Sequence, residues 1–400
     1  MRILFWQPML SHLQSAHVRA LAARAGISVT IVGLDGLSAE RRALGWDVSD
    51  FGHATVAEPA SFQQVQEIIA ASPCGSIHVL AGWRGLRHGW RLLRELQARS
   101  ARVGLLTEGG DIRGWRGLLR RVAYIKDRWL CGGGIDFILA IGEQGATWFR
   151  QAGYSNRKIF PYAYLTERPV FQPIVYGEAG PVELIYLGQY VPRKGMDIAF
   201  RALAHMARTD WRLSVIGAGE SATEWRQLVR TLGISHQVRF LAAMPLQEVA
   251  ARIAESDLLL LPSRFDGWGA VVNEALMMGV PAVCSDRCGA KDLLLEPWRG
   301  QVVRAGSVED LRIALSAWIA RGRKTQSSSE RIRQWSQCIE GERGADYILS
   351  VIEHVYSGGP RPVVPWRIET QAAATSEGNP KVTCARDRFA TESLPTGLAE

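Results

Sequence analysis

The sequence has no apolar run long enough to cross a bilayer: its longest, 258–262 with its neighbours, stops far short of the ~20 residues a membrane helix needs. No transmembrane span is expected. The start, MRILFWQPMLSHLQ, has one Arg and a short apolar burst closed by Gln7 and Pro8, with no small-residue cleavage site. It reads as the first strand of a cytosolic protein rather than as a secretory leader. Cysteine is scarce. Cys74, Cys131, Cys284, Cys288, Cys338 and Cys384 are scattered without a C-x-x-C, which points to neither a disulfide framework nor a zinc site and suits a reducing compartment. A dense basic run is also missing. The formal charge of +8 and pI near 9.4 come mainly from Arg spread along the chain, so phosphates or an acidic membrane face suit it, and a nucleic-acid arm is not expected. No repeat of 20 to 50 residues appears beyond the alternation described next.

What is present is a steady strand and helix beat. With 47% hydrophobic residues and 14 Trp, 9 Tyr and 11 Phe, most of the chain has enough large side chains to form cores. Its length suggests two or three domains of ~100–200 residues each. In the C-terminal half, strands are expected at 183–188, 212–217, 237–241, 257–262 and 281–285, with GQVVRA and a helix from Ser307 closing the series. The N-terminal half repeats the beat at 2–6, 28–33, 77–82, 102–108 and 136–142. Short, continuously apolar strands separated by helices belong in parallel sheets covered on both faces. The expectation is α/β: two doubly wound, Rossmann-like parallel-sheet domains facing across a cleft. The first occupies 1–165, 166–181 is a Pro- and Gly-bearing linker, 182–356 is the second domain, and 357–400 is an extended or disordered tail. Ligands of such sheets sit beyond the carboxyl ends of the strands.

Several loops at those ends carry chemistry. GQYVPRKG, 188–195, sets Arg193 and Lys194 after a strand and before a helix, a pattern that suits a diphosphate or an exposed polar turn. In IGAGESA, Gly217, Gly219 and Ala222 match G-x-G-x-x-A, but the following strand end, VRFLAAM, has no carboxylate for an adenosine ribose. The glycines then serve either a close phosphate or sugar or a plain turn, and Ala242 with Ala243 leaves room for a nucleobase. The stretch SRFDGWGAVVNEALMMG puts Gly267, Trp268, Gly269 and Ala270 ahead of a helix, with Asp266 at its entrance and Glu274 in its second turn. Glu274 has Ala270, Val271, Met277 and Met278 as helical neighbours. Either it is a buried carboxylate needing a partner such as sugar hydroxyls, or Ala270, Asn273, Glu274 and Met277 form a narrow exposed stripe.

Taken in order, GQYVPRKG, VIGAGE, VRFLAAM and SDLLLLPSRFDGWGAVVNEALMMGVPAVCSD resemble the nucleotide-sugar-binding domain of glycosyltransferase family 4, enzymes of the glycosyltransferase B fold. The likeness covers roughly 181–320, and the N-terminal half only by general pattern. It implies retaining, hexosyltransferase-type transfer from a nucleoside diphosphate sugar with no cofactor and no bound metal. The family's E-x7-E motif appears as Asp266 and Glu274; by resemblance Glu274 holds the ribose hydroxyls and Asp266 the donor sugar. Lys194 matches the diphosphate-binding Lys, while Gln189 stands where the family has Arg, with the adjacent Arg193 able to cover for it. Glu108, in TEGG, occupies the strand end where the family often has a His, and His12 and His17 are acceptor-side candidates. The implied acceptor is a glycan or lipid-linked molecule of surface polysaccharide synthesis, met by a cytoplasmic protein resting peripherally on an anionic membrane face. The competing readings are a non-catalytic nucleotide-sugar binder and an NAD-dependent enzyme using GAGESA. No carboxylate pair with hydrolase spacing can be argued.

Overall fold

The computed structural model describes residues 1–43, 50–111, 114–169, 176–177 and 180–367. Among the described residues thirteen strands form two sheets. The first sheet contains β1 (Arg2–Gln7), β2 (Ser28–Gly33), β3 (Thr55–Ala57), β4 (Ile77–Leu80), β5 (Arg102–Glu108), β6 (Phe137–Ile141) and β7 (Ile159–Tyr162), in the order β3-β2-β1-β4-β5-β6-β7. The second contains β8 (Val182–Leu187), β9 (Trp211–Ile216), β10 (Val238–Leu241), β11 (Leu258–Leu261), β12 (Ala282–Ser285) and β13 (Gly300–Val303), in the order β10-β9-β8-β11-β12-β13. Every pairing in both sheets is parallel. The two-sheet α/β expectation is therefore met, with most expected strands within a residue or two of their observed ends.

The strands form because both their faces are buried. In β1, Ile3 and Phe5 point into one core while Leu4 and Trp6 point into another, the alternation a pleated strand imposes. The core on the Ile3 side runs on into the second domain, through β8, β11 and the helix Val271–Met277. Leu258 to Leu261 are all buried there. Truncating one of them to Ala would cost about 2–5 kcal/mol in lost contacts and residual cavity.

Two edge strands escape the sequence pattern. β3 is three residues long and partly exposed, and β7 contains Pro161, which has no N–H to donate and so sits at the sheet margin. The chain's ending also follows an unexpected route. The helix Gly341–Ser357 returns to the first domain and lies on the first helix, His12–Ala22, so closely that a Cβ on Gly341 would collide with Ala16. Arg24 bonds Glu342 and Asp346 at 2.8 Å each, Tyr347 stacks on Tyr162, and Tyr356 donates to Asp136 at 2.8 Å. Where the chain passes between domains, Thr166 pairs with Glu340, and the Gly341 N–H donates to the Thr166 carbonyl at 3.1 Å. Arg168 clamps this crossing by reaching Glu340, the Met277 carbonyl and Ser336. Of the tail that begins at 357, residues to 367 pack on the protein: Arg361 donates to the Ile159 carbonyl at 2.5 Å and Trp366 is buried. The rest of the tail lies outside the described residues, as do 170–175 and 178–179 of the linker.

Candidate active site

The loops leaving β8 and β11 are locked together at their strand ends. Gly195, at φ +69°, lets the turn Pro192–Lys194 press against the end of β11; a Cβ there would strike the Pro262 carbonyl. Arg264 forks onto Asp197 with two bonds of 2.7 Å, and Arg193 donates to the Phe265 carbonyl at 2.8 Å. This scaffold brings Lys194 to Asp266 at 2.7 Å, with Arg193 3.8 Å from the same carboxylate oxygen. Lys194 and Asp266 side chains are only 14% and 12% exposed, so this pair is far less screened than a surface ion pair.

Asp266 is held from behind as well. Its N–H donates to the Arg287 carbonyl at 2.9 Å, and its own carbonyl accepts from Gly289 at 3.2 Å and from the Gln144 amide of the first domain at 2.9 Å. The following residues, Gly267 to Ala270, present backbone N–H groups that have no acceptor among the described residues. The short helix Val271–Met277 then begins, with Glu274 in its first turn. Asn273 and Met277 are fully buried, which removes the exposed-stripe reading. Glu274 is partly buried between them, no described side chain hydrogen-bonds its carboxylate, and burial pushes its pKa up to about 7.

The first domain closes the other side. β5 ends in Glu108, which lies against Gly267 so tightly that a Cβ on that glycine would overlap its carboxylate. Glu108 keeps an exposed surface, and the protein packed around it raises its carboxyl above the ordinary value by partial desolvation; the hydrogen bond from the Tyr164 hydroxyl, 3.0 Å, opposes this, Asp266 adds to it, and Arg193 and Lys194 pull it back. Glu108 thus shares one electrostatic environment with the Lys194–Asp266 pair. Beside the cluster a cavity of about 250 Å³ opens between the domains, lined by Gly110, Gln144, Trp148, Phe265 and Arg287.

Other candidates take different places. Trp268 is 1% exposed, its indole donating to Asn273 at 2.8 Å and packing on Gly142, so its ring wedges the domains together and does not face the cleft. Gly217 and Gly219, at φ +146° and +151°, are covered by the neighbouring loop: a Cβ on either would collide with the Gly188 or Tyr190 carbonyl. Their conformational freedom is used by the protein itself, which weighs against a dinucleotide at this turn. Gln189 and Ala242 are exposed at the carboxyl ends of β8 and β10. His12 opens the helix after β1, where burial pushes its pKa down to about 4. His17 is 1% exposed, between Phe5 and Tyr162, with neither ring nitrogen hydrogen-bonded and its pKa also pushed down by burial to about 4. It is a core residue out of an acceptor's reach. Tyr164 and Gln144 join the cluster without a local signal, because both arrive from the first domain through contacts distant in sequence.

The family model described as Glycosyl transferases group 1 matches residues 175–335. The match spans less than half of the chain and lies almost wholly in the second domain. A GDP-mannose-dependent alpha-(1-6)-phosphatidylinositol monomannoside mannosyltransferase of Mycolicibacterium smegmatis is 29% identical over 170 residues, or 40% of this chain and 44% of that protein. A lipopolysaccharide 1,6-galactosyltransferase of Salmonella typhimurium is 28% identical over 135 residues, 32% of this chain and 37% of that one. The chain spans about half or less of these curated relatives. Solved structures extend the fold over both domains: the lipopolysaccharide outer core galactosyltransferase WaaB in its apo form matches at a TM-score of 0.61, with 17% identity over 94% of this chain and 100% of that chain. Anabaena Alr3699/HepE in complex with UDP and glucose matches at 0.66, with 15% identity over 88% and 99%. The two sheets thus share the glycosyltransferase B arrangement with these structures.

Proposed function

We propose that the chain is a retaining glycosyltransferase that moves a hexosyl group from a nucleoside diphosphate sugar to a glycan or lipid-linked acceptor in glycolipid or surface polysaccharide synthesis. The observation that carries this reading is Glu274, a partly buried carboxylate with no partner among the described residues, on the helix that follows Asp266 of the Lys194–Asp266 pair. A ribose diol supplies the two hydroxyl donors such a carboxylate lacks. Lys194 and Arg193, with the N–H groups of Gly267 to Ala270, meet the negative charge that grows on the leaving diphosphate, so no resident cation is invoked. Donor binding then competes with Asp266 for Lys194, freeing the Asp266 carboxylate to accept from the sugar hydroxyls. Glu108, its proton affinity raised by partial desolvation, takes the proton of the acceptor hydroxyl as its oxygen bonds the anomeric carbon on the same face from which the bond to phosphate breaks, the diphosphate leaving with the electron pair and the configuration being kept.

The mannosyl- and galactosyltransferase names of the relatives, and the UDP held by the HepE structure, support the donor and acceptor classes. Gln189 favours a second reading. An uncharged, exposed side chain in place of a phosphate-site Arg fits a domain that binds a nucleotide sugar without turning it over. Calorimetry with UDP, GDP, ADP and NAD, followed by nucleotide release from the matching sugar donors over a membrane extract, separates the two. Diphosphate binding with release supports transfer, and binding without release supports the second reading. Binding of NAD alone, or of none of the four, sinks both.

A further inference from the structure

A cavity of about 250 Å³ opens at the far end of the second sheet, among the amino ends of β8, β11 and β12. The six residues of β8 separate it by about 20 Å from the loops of the candidate active site. Leu258, Ile332, Trp298 and Trp318 give it apolar walls, and Arg321, Arg323 and Lys324 bring charge. Its acceptors are largely spent. Asp257, the one acid in the lining, already accepts from the Glu183 N–H at 2.9 Å, the Lys324 N–H at 3.1 Å and Arg323 at 3.1 Å. Donors are left over. The buried indole N–H of Trp318 has no acceptor among the described residues, and Arg321, stacked on that ring at 4.1 Å, reaches the Pro297 carbonyl at 3.5 Å. Lys324, its side chain 5% exposed, gives two of its three ammonium N–H groups to the Ala254 and Ser256 carbonyls, and burial pushes its pKa down to about 8. Two more cations lie against the Trp298 ring, Arg331 at 4.4 Å and Arg299 at 5.1 Å. Arg299 is 1% exposed, and its Nε and Nη1 also lack acceptors among the described residues.

We propose that this cavity binds a compact organic phosphate, at a site separate from the interdomain cleft. A phosphate monoester supplies what the walls lack, three strong acceptor oxygens and close to two negative charges at neutral pH, for Arg321, Lys324 and the Trp318 N–H to share. Buried donors left without acceptors are costly, and an acceptor-rich ligand relieves that cost. A ring on the phosphate would cover Leu258, Ile332 and Trp298, which a bare ion leaves wet. The helix Gln326–Trp335 begins beside the cavity, at Thr325 and Ser328, and adds the positive end of its dipole. The volume lies below the ~300–1,000 Å³ of drug-sized sites, so it suits a small monoester and is too small for a nucleoside diphosphate sugar. The occupant is therefore not the donor proposed above. A carboxylate brings half the charge and one acceptor oxygen fewer, which makes it the weaker fit.

The test is calorimetry of the full chain at neutral pH with phenyl phosphate, glucose 6-phosphate, inorganic phosphate and benzoate. At least one of the two monoesters should bind ~10-fold or more tighter than inorganic phosphate and benzoate. Arg321→Glu should weaken that monoester at least ~10-fold with the melting temperature unchanged, since the side chain is exposed. Trp318→Phe, which keeps a ring and removes the N–H, should weaken it on the order of 10-fold. Lys194→Gln, in the cleft, should bind it as the wild type does. Three results overturn the proposal: neither monoester binds, inorganic phosphate or benzoate binds as tightly as both, or affinity falls in Lys194→Gln and holds in Arg321→Glu. The assay uses no sugar donor, so its failure leaves the transfer reading standing, and failure of that reading leaves this site standing.

Discussion

Replacing Glu274 by Gln probes the centre of the proposed site through stability and affinity together. Burial raises this carboxyl from 4.5 to about 7, and no described residue hydrogen-bonds it. In the unfolded chain it returns to its ordinary value, so the folded state binds the proton more tightly. Its contribution to stability is therefore intact below about pH 4.5 and is lost as pH rises through about 7. Above that pH the ionised group costs the unliganded fold about 3 kcal/mol. The neutral amide removes this pH-dependent cost and keeps the shape. Glu274→Gln should thus gain up to ~3 kcal/mol over wild type at pH 8 and under ~1 kcal/mol at pH 5, on top of any constant difference from burying the amide. Urea denaturation at the two pH values reads this directly, with m unchanged. Calorimetry at pH 8 should show nucleoside diphosphate affinity falling at least ~10-fold, because a charged acceptor contributes about 1.5–3 kcal/mol per bond. A stability difference equal at pH 5 and pH 8 would refute the buried, unpartnered carboxylate. An unchanged dissociation constant would refute its ribose contact.

Glu108→Gln should leave nucleotide affinity unchanged while lowering turnover by about 100-fold or more, as loss of a proton acceptor does; an equal fall in both would make Glu108 a binding group. Gly219→Ala forces a Cβ into the Tyr190 backbone at φ +151° and should cost about 2–4 kcal/mol in urea unfolding; a neutral effect would mean the turn is free to open for a ligand. His17, held down to about 4, contributes stability that is present above pH 6.5 and lost as pH falls toward 4. His17→Leu should therefore recover about 2 kcal/mol at pH 5 relative to pH 8 without altering acceptor KM, and a changed KM would put the ring back in the site.

Much of the architecture was legible because the central strands carry their burial in their composition. Four consecutive leucines in β11 cannot be half-exposed, and the loops between such strands mark the ends where ligands gather. Lys194 and Asp266 were legible as polar residues in loops at such strand ends, and the fold of one domain joins them across 72 residues of sequence. β3 and β7 were not, because a three-residue strand and one containing Pro161 lack the pattern that a buried strand shows. Spacing could not decide between the two readings of Gly217 and Gly219. Their fate depends on Tyr190, which reaches them only in the folded loop. Nor does apolar periodicity in Gly114–Cys131 say which side faces the core: that depends on Trp83 and Trp148, and on where Asp127 finds Arg84.

The paired crossing at Thr166 and Glu340 limits how this molecule can move. A single tether would let one domain swing and twist freely on the other. Two tethers bonded side by side act as a double-pinned door, leaving one easy rotation about the line through them. A rotation of that kind would move Glu108 away from Gly267 and break the Gln144 contact to Asp266 together. The same double passage makes the two domains inseparable by simple truncation. A chain cut at 335, where the family match ends, would lose the helix that covers the first domain's own core.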